Sequence, residues 1–312
     1  MVNKKLIVIL GPTASGKSKL AVKLALRLNS GQAKKQFGIN DAEIISADSR
    51  QIYKEMDIGT AKPTKKERKI VKHYLIDIKK PSRHYTVAEY KKEVIKTINK
   101  IIKSGKIPFL VGGTGLYIKA VVDNLEIPEV KPDWKLRRKL ESKIEKEGLK
   151  SVYEELIKAD PEAAYIIDPN NPRRIIRALE VAIKTKKPFS QQRKKGEPLF
   201  NTLEIGLNPN KKKLIENIKK RTDKMVKVGL VKEVKNLIKK YNKNLSTFGT
   251  IGYREIIEYL DGKITLPKAI ENMNKNTWHF ARRQMTWFRG DKRIKWIKNY
   301  KEAEKLLKKF LE

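Results

Sequence analysis

Residues 11–18 read GPTASGKS, which fills every fixed position of a G-x-x-x-x-G-K-[ST] phosphate loop. Gly11 and Gly16 let the chain turn backbone N–H groups inward, and the start of a following helix adds partial positive charge. Lys17 brings a full charge, and the Ser18 hydroxyl can ligate a Mg²⁺ held between protein and phosphates. Pro12, Thr13, Ala14 and Ser15 complete the cradle. Such a loop grips a chain of phosphates, and its surroundings decide what is done with them. Asp48 ends a second apolar run, AEIISA, and faces the same rim. Its carboxylate can bind metal, accept a proton from a substrate, or cap the next segment. A nucleotide-hydrolysing machine adds an acid at the end of a neighbouring buried strand. Asp48 and Asp77 are the candidates, because FLVGGT (109–114) ends without one. Thr114 faces the same rim, but from the residues alone it reads first as the N-cap of the helix that follows.

The elements that position these residues alternate in type. Strands are expected at 6–10, 42–47, 73–78 and 106–111, with helices at 16–28 and 85–104. That alternation implies a parallel α/β sheet with its loops gathered at the strands' C-terminal ends. Beyond about Asp123 the texture changes to Pro-punctuated, charged helical segments, and strand signals return only at 202–207 and 294–297. Residues 123–201 therefore read as a helical insertion into a core formed by 1–122 and 202–312.

The chain has 312 residues, 39% of them apolar, and can bury a real core. No apolar run reaches the roughly 18–20 residues of a membrane span, and the N-terminal run reads as strand rather than signal peptide. There is no cysteine and only three histidines, which argues against disulfides and zinc and fits a reducing cytoplasm. Lys+Arg number 72 against 35 Asp+Glu, a net charge of +37. Such an excess suits a polyanionic partner such as nucleic acid, although lysine scattered along helices also reflects compositional drift.

Four separated stretches, GPTASGKS, SADSRQIYKEMDIGTAKP (46–63), FLVGGTGLYIKA (109–120) and DPNNPRRIIRALEV (168–181), resemble the tRNA dimethylallyltransferases, also called tRNA isopentenyltransferases. IKKRTDKMVKVGL (218–230), TIGYRE (250–255) and RRQMTWFRG (282–290) follow in the family's order, so the resemblance spans nearly the whole chain. Departures are small: Glu55 stands where glycine is commoner, KHYLIDI (72–78) lacks the usual paired histidines, and without cysteine there is no zinc-finger tail. The resemblance implies a P-loop-type parallel sheet flanked by helices, with an inserted all-helical tRNA-binding domain. It implies transfer of the five-carbon unit of dimethylallyl diphosphate to the exocyclic amine of the adenine 3′ of the anticodon, in tRNAs reading codons that begin with U. Pyrophosphate would leave, with Mg²⁺ as cofactor. By resemblance Asp48 takes the amine proton, Thr114 bonds near the attacking nitrogen, and Arg221 and Thr13 touch the diphosphate. Ser49, Arg50 and Gln51 would contact the extruded adenine and its neighbours.

In the insertion, Asn171 is placed to N-cap a helix with Pro172 at its first position. Ile175, Ile176, Leu179 and Ile183 form its apolar stripe, and Arg173, Arg177 and Lys184 its other side. An Arg177–Glu180 pair on a solvated face is the plainer reading. The resemblance points to tRNA contact for Arg173, Arg174, Ile175, Ile176 and Arg177, and for Arg137, with Arg138 as the alternative. The aromatics Trp278, Phe280, Trp287 and Phe288, interleaved with Arg282, Arg283 and Arg289, read as core, with stacking on unpaired bases as the alternative. The expected protein is a cytoplasmic monomer. The rivals are an ATP-dependent small-molecule kinase, which leaves the insertion and the positive charge unexplained, and a non-catalytic RNA-binding protein.

Overall fold

The runs KLIVIL, AEIISA and IPFLVG lack an alternating polar face, the pattern of parallel strands covered on both sides. The computed structural model describes residues 4–28, 41–128, 130–192 and 194–312. Strands β1 (Lys5–Leu10), β2 (Ala42–Ala47), β3 (His73–Tyr74), β4 (Ile107–Gly112), β5 (Asn201–Leu207) and β6 (Lys295–Ile297) form one parallel sheet in the order β3-β2-β4-β1-β5-β6. One face packs Ile7, Ile9, Phe109 and Ile205 against α1 (Lys17–Leu28) and the C-terminal helix Tyr300–Leu311. The other packs Leu6, Val8, Ile45 and Leu110 against α2, the helix following the Thr86 cap (Val87–Lys103), and α3 (Gly115–Val122). Thr86 and Glu89 cap α2 reciprocally, fixing where it starts.

β3 is shorter than expected. Leu75 and Asp77 both adopt φ of 59°, which ends the strand after Tyr74. Asp77 turns instead to Lys62 at 2.5 Å and Arg68 at 2.7 Å, a structural ion-pair cluster that removes it as a metal-site candidate. Glu55, at the position where glycine is commoner, has φ of 66°, and its carboxylate accepts from Lys240 and Tyr241 at 2.8 and 2.9 Å. The backbone there favours glycine sterically, and the side chain offsets that strain with two hydrogen bonds.

The chain divides into a sheet unit, comprising residues up to Val122 and Pro198–Glu312, and a helical unit, Asp123–Glu197. Residues 198–201, expected within the insertion, belong to the sheet unit, where Phe200 is buried against β1 and β4 side chains. The helical unit holds α4 (Trp134–Glu147), α5 (Leu149–Ala159) and α6 (Pro172–Thr185) around Leu140, Val152, Leu156, Ile175 and Leu179. Asn171 caps α6 by accepting the Arg174 N–H at 3.2 Å, with Pro172 in the first turn.

Glu180, fully buried, organises this unit. It accepts from Arg137 Nε and Nη2 at 2.8 and 2.7 Å, from the Asp133 N–H at 2.7 Å, and from Arg177. Burial pushes its carboxyl up, but the bonds from Arg137, Asp133 and Arg177 outweigh burial and leave it below 4.5. Glu180→Ala strands two guanidinium groups, so urea unfolding of the helical unit is expected to show a loss of about 3–5 kcal/mol. The folded carboxyl lies lower than the unfolded one. Its stabilisation is therefore present above 4.5 and fades as pH falls through the lower folded value, an acid limb that the variant lacks.

Candidate active site

Leu10 of β1 pairs with Gly112 of β4, and Gly112 with Ala47 of β2. The residues that follow, Gly11, Gly113 and Asp48, thus leave the sheet along one rim at the inter-strand spacing of about 4.8 Å. Gly112 allows the close approach, since a Cβ there would lie 2.0 Å from the Ala47 carbonyl oxygen. At this rim is a cavity of about 660 Å³, lined by Thr13, Lys17, Ser18, Asp48, Thr114 and Arg221 among others.

The phosphate loop holds Gly11, Ala14 and Gly16 at φ of 148°, 62° and 91°. It is strapped from outside by α7 (Lys211–Lys227): Asn217 Nδ2 donates to the Ala14 carbonyl at 3.1 Å, and Arg221 Nη1 to Thr13 Oγ1 at 2.7 Å. The Pro12 carbonyl accepts from Lys17 Nζ at 3.0 Å and from the Ser15 N–H at 3.3 Å. The Ser15 hydroxyl is buried, with no hydrogen-bond partner among the described residues. Enclosure by protein pushes the Lys17 ammonium down to about 8; Asp48 opposes the shift and Arg221 adds to it. Burial also lowers Arg221, again opposed by Asp48. Two cations are therefore held in a place that disfavours their charge, an arrangement relieved by an incoming anion.

Asp48 Oδ1 accepts the N–H groups of Arg50 and Gln51 at 2.8 and 3.4 Å, which fixes the turn after β2. Among the described residues, its other oxygen has no hydrogen bond from protein. The Thr114 hydroxyl does not cap α3; it accepts the Ser49 N–H at 3.1 Å and so joins the β4 turn to the Asp48 turn. Ser49, Arg50 and Gln51 all line the cavity. Gln51 is less available than expected: its amide accepts from Ser46 Oγ and donates to the Thr60 and Ala61 carbonyls at 3.2–3.3 Å, bracing the cavity wall.

The expected RNA-facing set on α6 separates by burial. Ile175 and Ile176 are 0% and 6% exposed within the helical unit's core, so neither side chain can meet an external polymer. Arg137 and Arg177 are committed to Glu180, the plainer reading of the Arg–Glu spacing. Arg173, Arg174 and Arg138 are exposed. Asn217 and Gln284 escaped sequence reasoning, as did Glu233, whose carboxylate accepts the N–H groups of Asp57, Ile58 and Gly59 at 2.8–3.2 Å. The available signal was Gln284 itself, a polar residue on the apolar stripe of Ala281, Met285 and Phe288. Phe280 lines the cavity instead of joining the core, while Phe288 is buried as expected.

A parallel sheet with a glycine-bounded loop after its central β1 and a carboxylate at the end of β2 defines a P-loop-type α/β enzyme that acts on a phosphorylated substrate. Residues 51–291 match the family model described as IPP transferase. The tRNA dimethylallyltransferases of Acetivibrio thermocellus and Carboxydothermus hydrogenoformans are 43% and 44% identical, covering 97% and 99% of this chain and 95% and 97% of their own. The tRNA isopentenylpyrophosphate transferase of Bacillus halodurans superimposes with a TM-score of 0.70 at 38% identity, covering 99% of this chain and 96% of that one. A eukaryotic dimethylallyltransferase acting on tRNA gives 0.71 at 30% identity, over 91% and 70%. The chain belongs to the IPP transferase family, that of the tRNA dimethylallyltransferases.

Proposed function

We propose that this protein transfers the dimethylallyl group of dimethylallyl diphosphate to the exocyclic amine of the adenine 3′-adjacent to the anticodon, in tRNAs reading codons that start with U. The observation that carries this reading is the cavity, in which the phosphate loop with Lys17, together with Arg221 of α7, faces Asp48, the one carboxylate among the described residues that line it. Cleavage of the allylic C–O bond puts negative charge on the departing pyrophosphate. Lys17, Arg221 through its contact with Thr13, and the first-turn N–H groups of α1 stabilise that charge. The Ser15 hydroxyl, buried beside Gly11, is a further donor for a phosphate oxygen. As the C–N bond forms, the amine proton passes to Asp48, which relieves the positive charge developing on nitrogen. Thr114, fixed by the Ser49 N–H, orients the acceptor.

Among the described residues no group of three or more acidic, histidine or cysteine side chains could hold a metal, and the Ser18 hydroxyl lends the cavity a hard oxygen donor. That donor fits a Mg²⁺ that would keep most of its waters and help neutralise the charge of the leaving diphosphate. Arg173 and Arg174 on α6 offer the tRNA backbone two exposed cations on the helical unit. No helix among the described residues is long and apolar enough to cross a membrane. The enzyme would act as a cytoplasmic monomer. The test is incubation with unmodified tRNA and dimethylallyl diphosphate, followed by mass spectrometry of the nucleosides. The expected result is a prenylated adenosine that depends on both substrates. Binding of ATP with none of the prenyl donor, together with unmodified tRNA, would overturn the reading in favour of a kinase.

A further inference from the structure

A single side chain hydrogen-bonds two segments of the cavity rim. Gln284 lies on α8 (Leu266–Arg289) and is only 8% exposed. Its Oε1 accepts the Thr13 N–H at 2.8 Å, and its Nε2 donates to the Gly113 carbonyl at 2.7 Å. The partners have opposite polarity, one donor and one acceptor, and a primary amide answers both at once. Gly113 makes the room: a Cβ there would lie 2.3 Å from Gln284 Nε2. The double glycine at the end of β4 thus has two separate causes, since Gly112 admits the Ala47 backbone and Gly113 admits the amide.

Each segment that Gln284 holds serves one half of the chemistry proposed above. Thr13 receives Arg221 on its hydroxyl and belongs to the loop that grips the leaving group. Gly113 precedes Thr114, whose hydroxyl takes the Ser49 N–H in the turn that carries Asp48. The Thr13 N–H, spent on Gln284, is not offered to the diphosphate, so the contribution of Gln284 is geometric. We infer that Gln284 is a positioning residue for the transfer: its amide ties the leaving-group loop to the acceptor turn and holds the two at the separation the displacement needs. A displacement at carbon requires nucleophile and leaving group in line, and a misplacement of about 1 Å can cost on the order of 100-fold in rate.

This inference rests on the transferase reading, and its test separates the two. Gln284→Met keeps the side chain's length and bulk while removing both hydrogen bonds. Met285→Ala, on the same helix and buried, is the packing control. With both substrates saturating, single-turnover transfer by Gln284→Met is expected to fall about 30–100-fold, with donor Kd from calorimetry moving less than about fivefold. The control should lose thermal stability and keep its transfer rate. Amide hydrogen exchange should quicken in Gln284→Met in both segments, 11–17 and 112–115, relative to the control. A rate within about threefold of wild type, a loss confined to donor Kd, or faster exchange in neither or only one segment would overturn the inference. If the wild-type protein leaves tRNA unmodified, the transferase reading fails, and the exchange measurement still decides whether Gln284 joins the two segments.

Discussion

Asp48→Asn is expected to lower turnover about 10²–10⁴-fold while the prenyl donor still binds. Asparagine retains an oxygen for the Arg50 and Gln51 N–H groups, which Asp48 Oδ1 accepts at 2.8 and 3.4 Å, so the turn after β2 should persist. What disappears is the basic oxygen and its charge. The adenine amine is a poor nucleophile because its lone pair is drawn into the ring, and without a proton acceptor its positive charge builds up as the C–N bond forms. Donor affinity should hold or improve, since a negative charge facing the diphosphate has been removed. Calorimetry with dimethylallyl diphosphate alone and single-turnover analysis of modified nucleosides measure the two quantities separately. A variant within about tenfold of the wild-type rate would sink the assignment of Asp48 as proton acceptor.

The parts of this fold that could be read from sequence are those in which one physical cause leaves one pattern. β1, β2 and β4 are covered on both faces, so burial writes unbroken apolar runs, and their ends locate Gly11, Asp48 and Gly113 on a common rim. The run at 73–78 looks similar, but Leu75 and Asp77 sit at positive φ, and ion pairing of Asp77 with Lys62 and Arg68 competes with strand pairing. Patterns that admit two causes misled. An arginine edge suits RNA or an internal carboxylate equally: the i,i+3 spacing allows the Arg177–Glu180 pair, while only the fold buries Glu180 and brings Arg137 onto it as well. Ile175 and Ile176 lie within a motif shared with the family, yet core packing accounts for them. Gln284 and Asn217 act by touching loops more than 200 residues away in sequence, at separations of 271 and 203, where no local periodicity reports a contact.

Lys17→Met should weaken donor binding and, at saturating donor, slow transfer on the order of 10²–10³-fold, because charge developing on the leaving group loses a full countercharge. The same variant isolates a pH effect. Burial brings Lys17 to about 8 in the donor-free protein, so the ammonium is charged below that pH and increasingly neutral above it. Diphosphate favours the charged form, which raises the pKa in the complex. Donor affinity should therefore be highest below pH 8 and decline above it, and binding between pH 8 and 9 should take up a proton. Calorimetry in two buffers of different ionisation enthalpy reads that uptake directly. Arg221 stays charged across this range, so Lys17→Met should show a flat profile there. Stability should move the other way. The folded pKa lies below the unfolded value of 10.5, so the charged ammonium costs the donor-free fold stability at neutral pH, and Lys17→Met should raise its Tm. A donor-induced rise in Tm that is undiminished in the variant, or a wild-type affinity indifferent to pH between 7 and 9, would show that the diphosphate is gripped without Lys17.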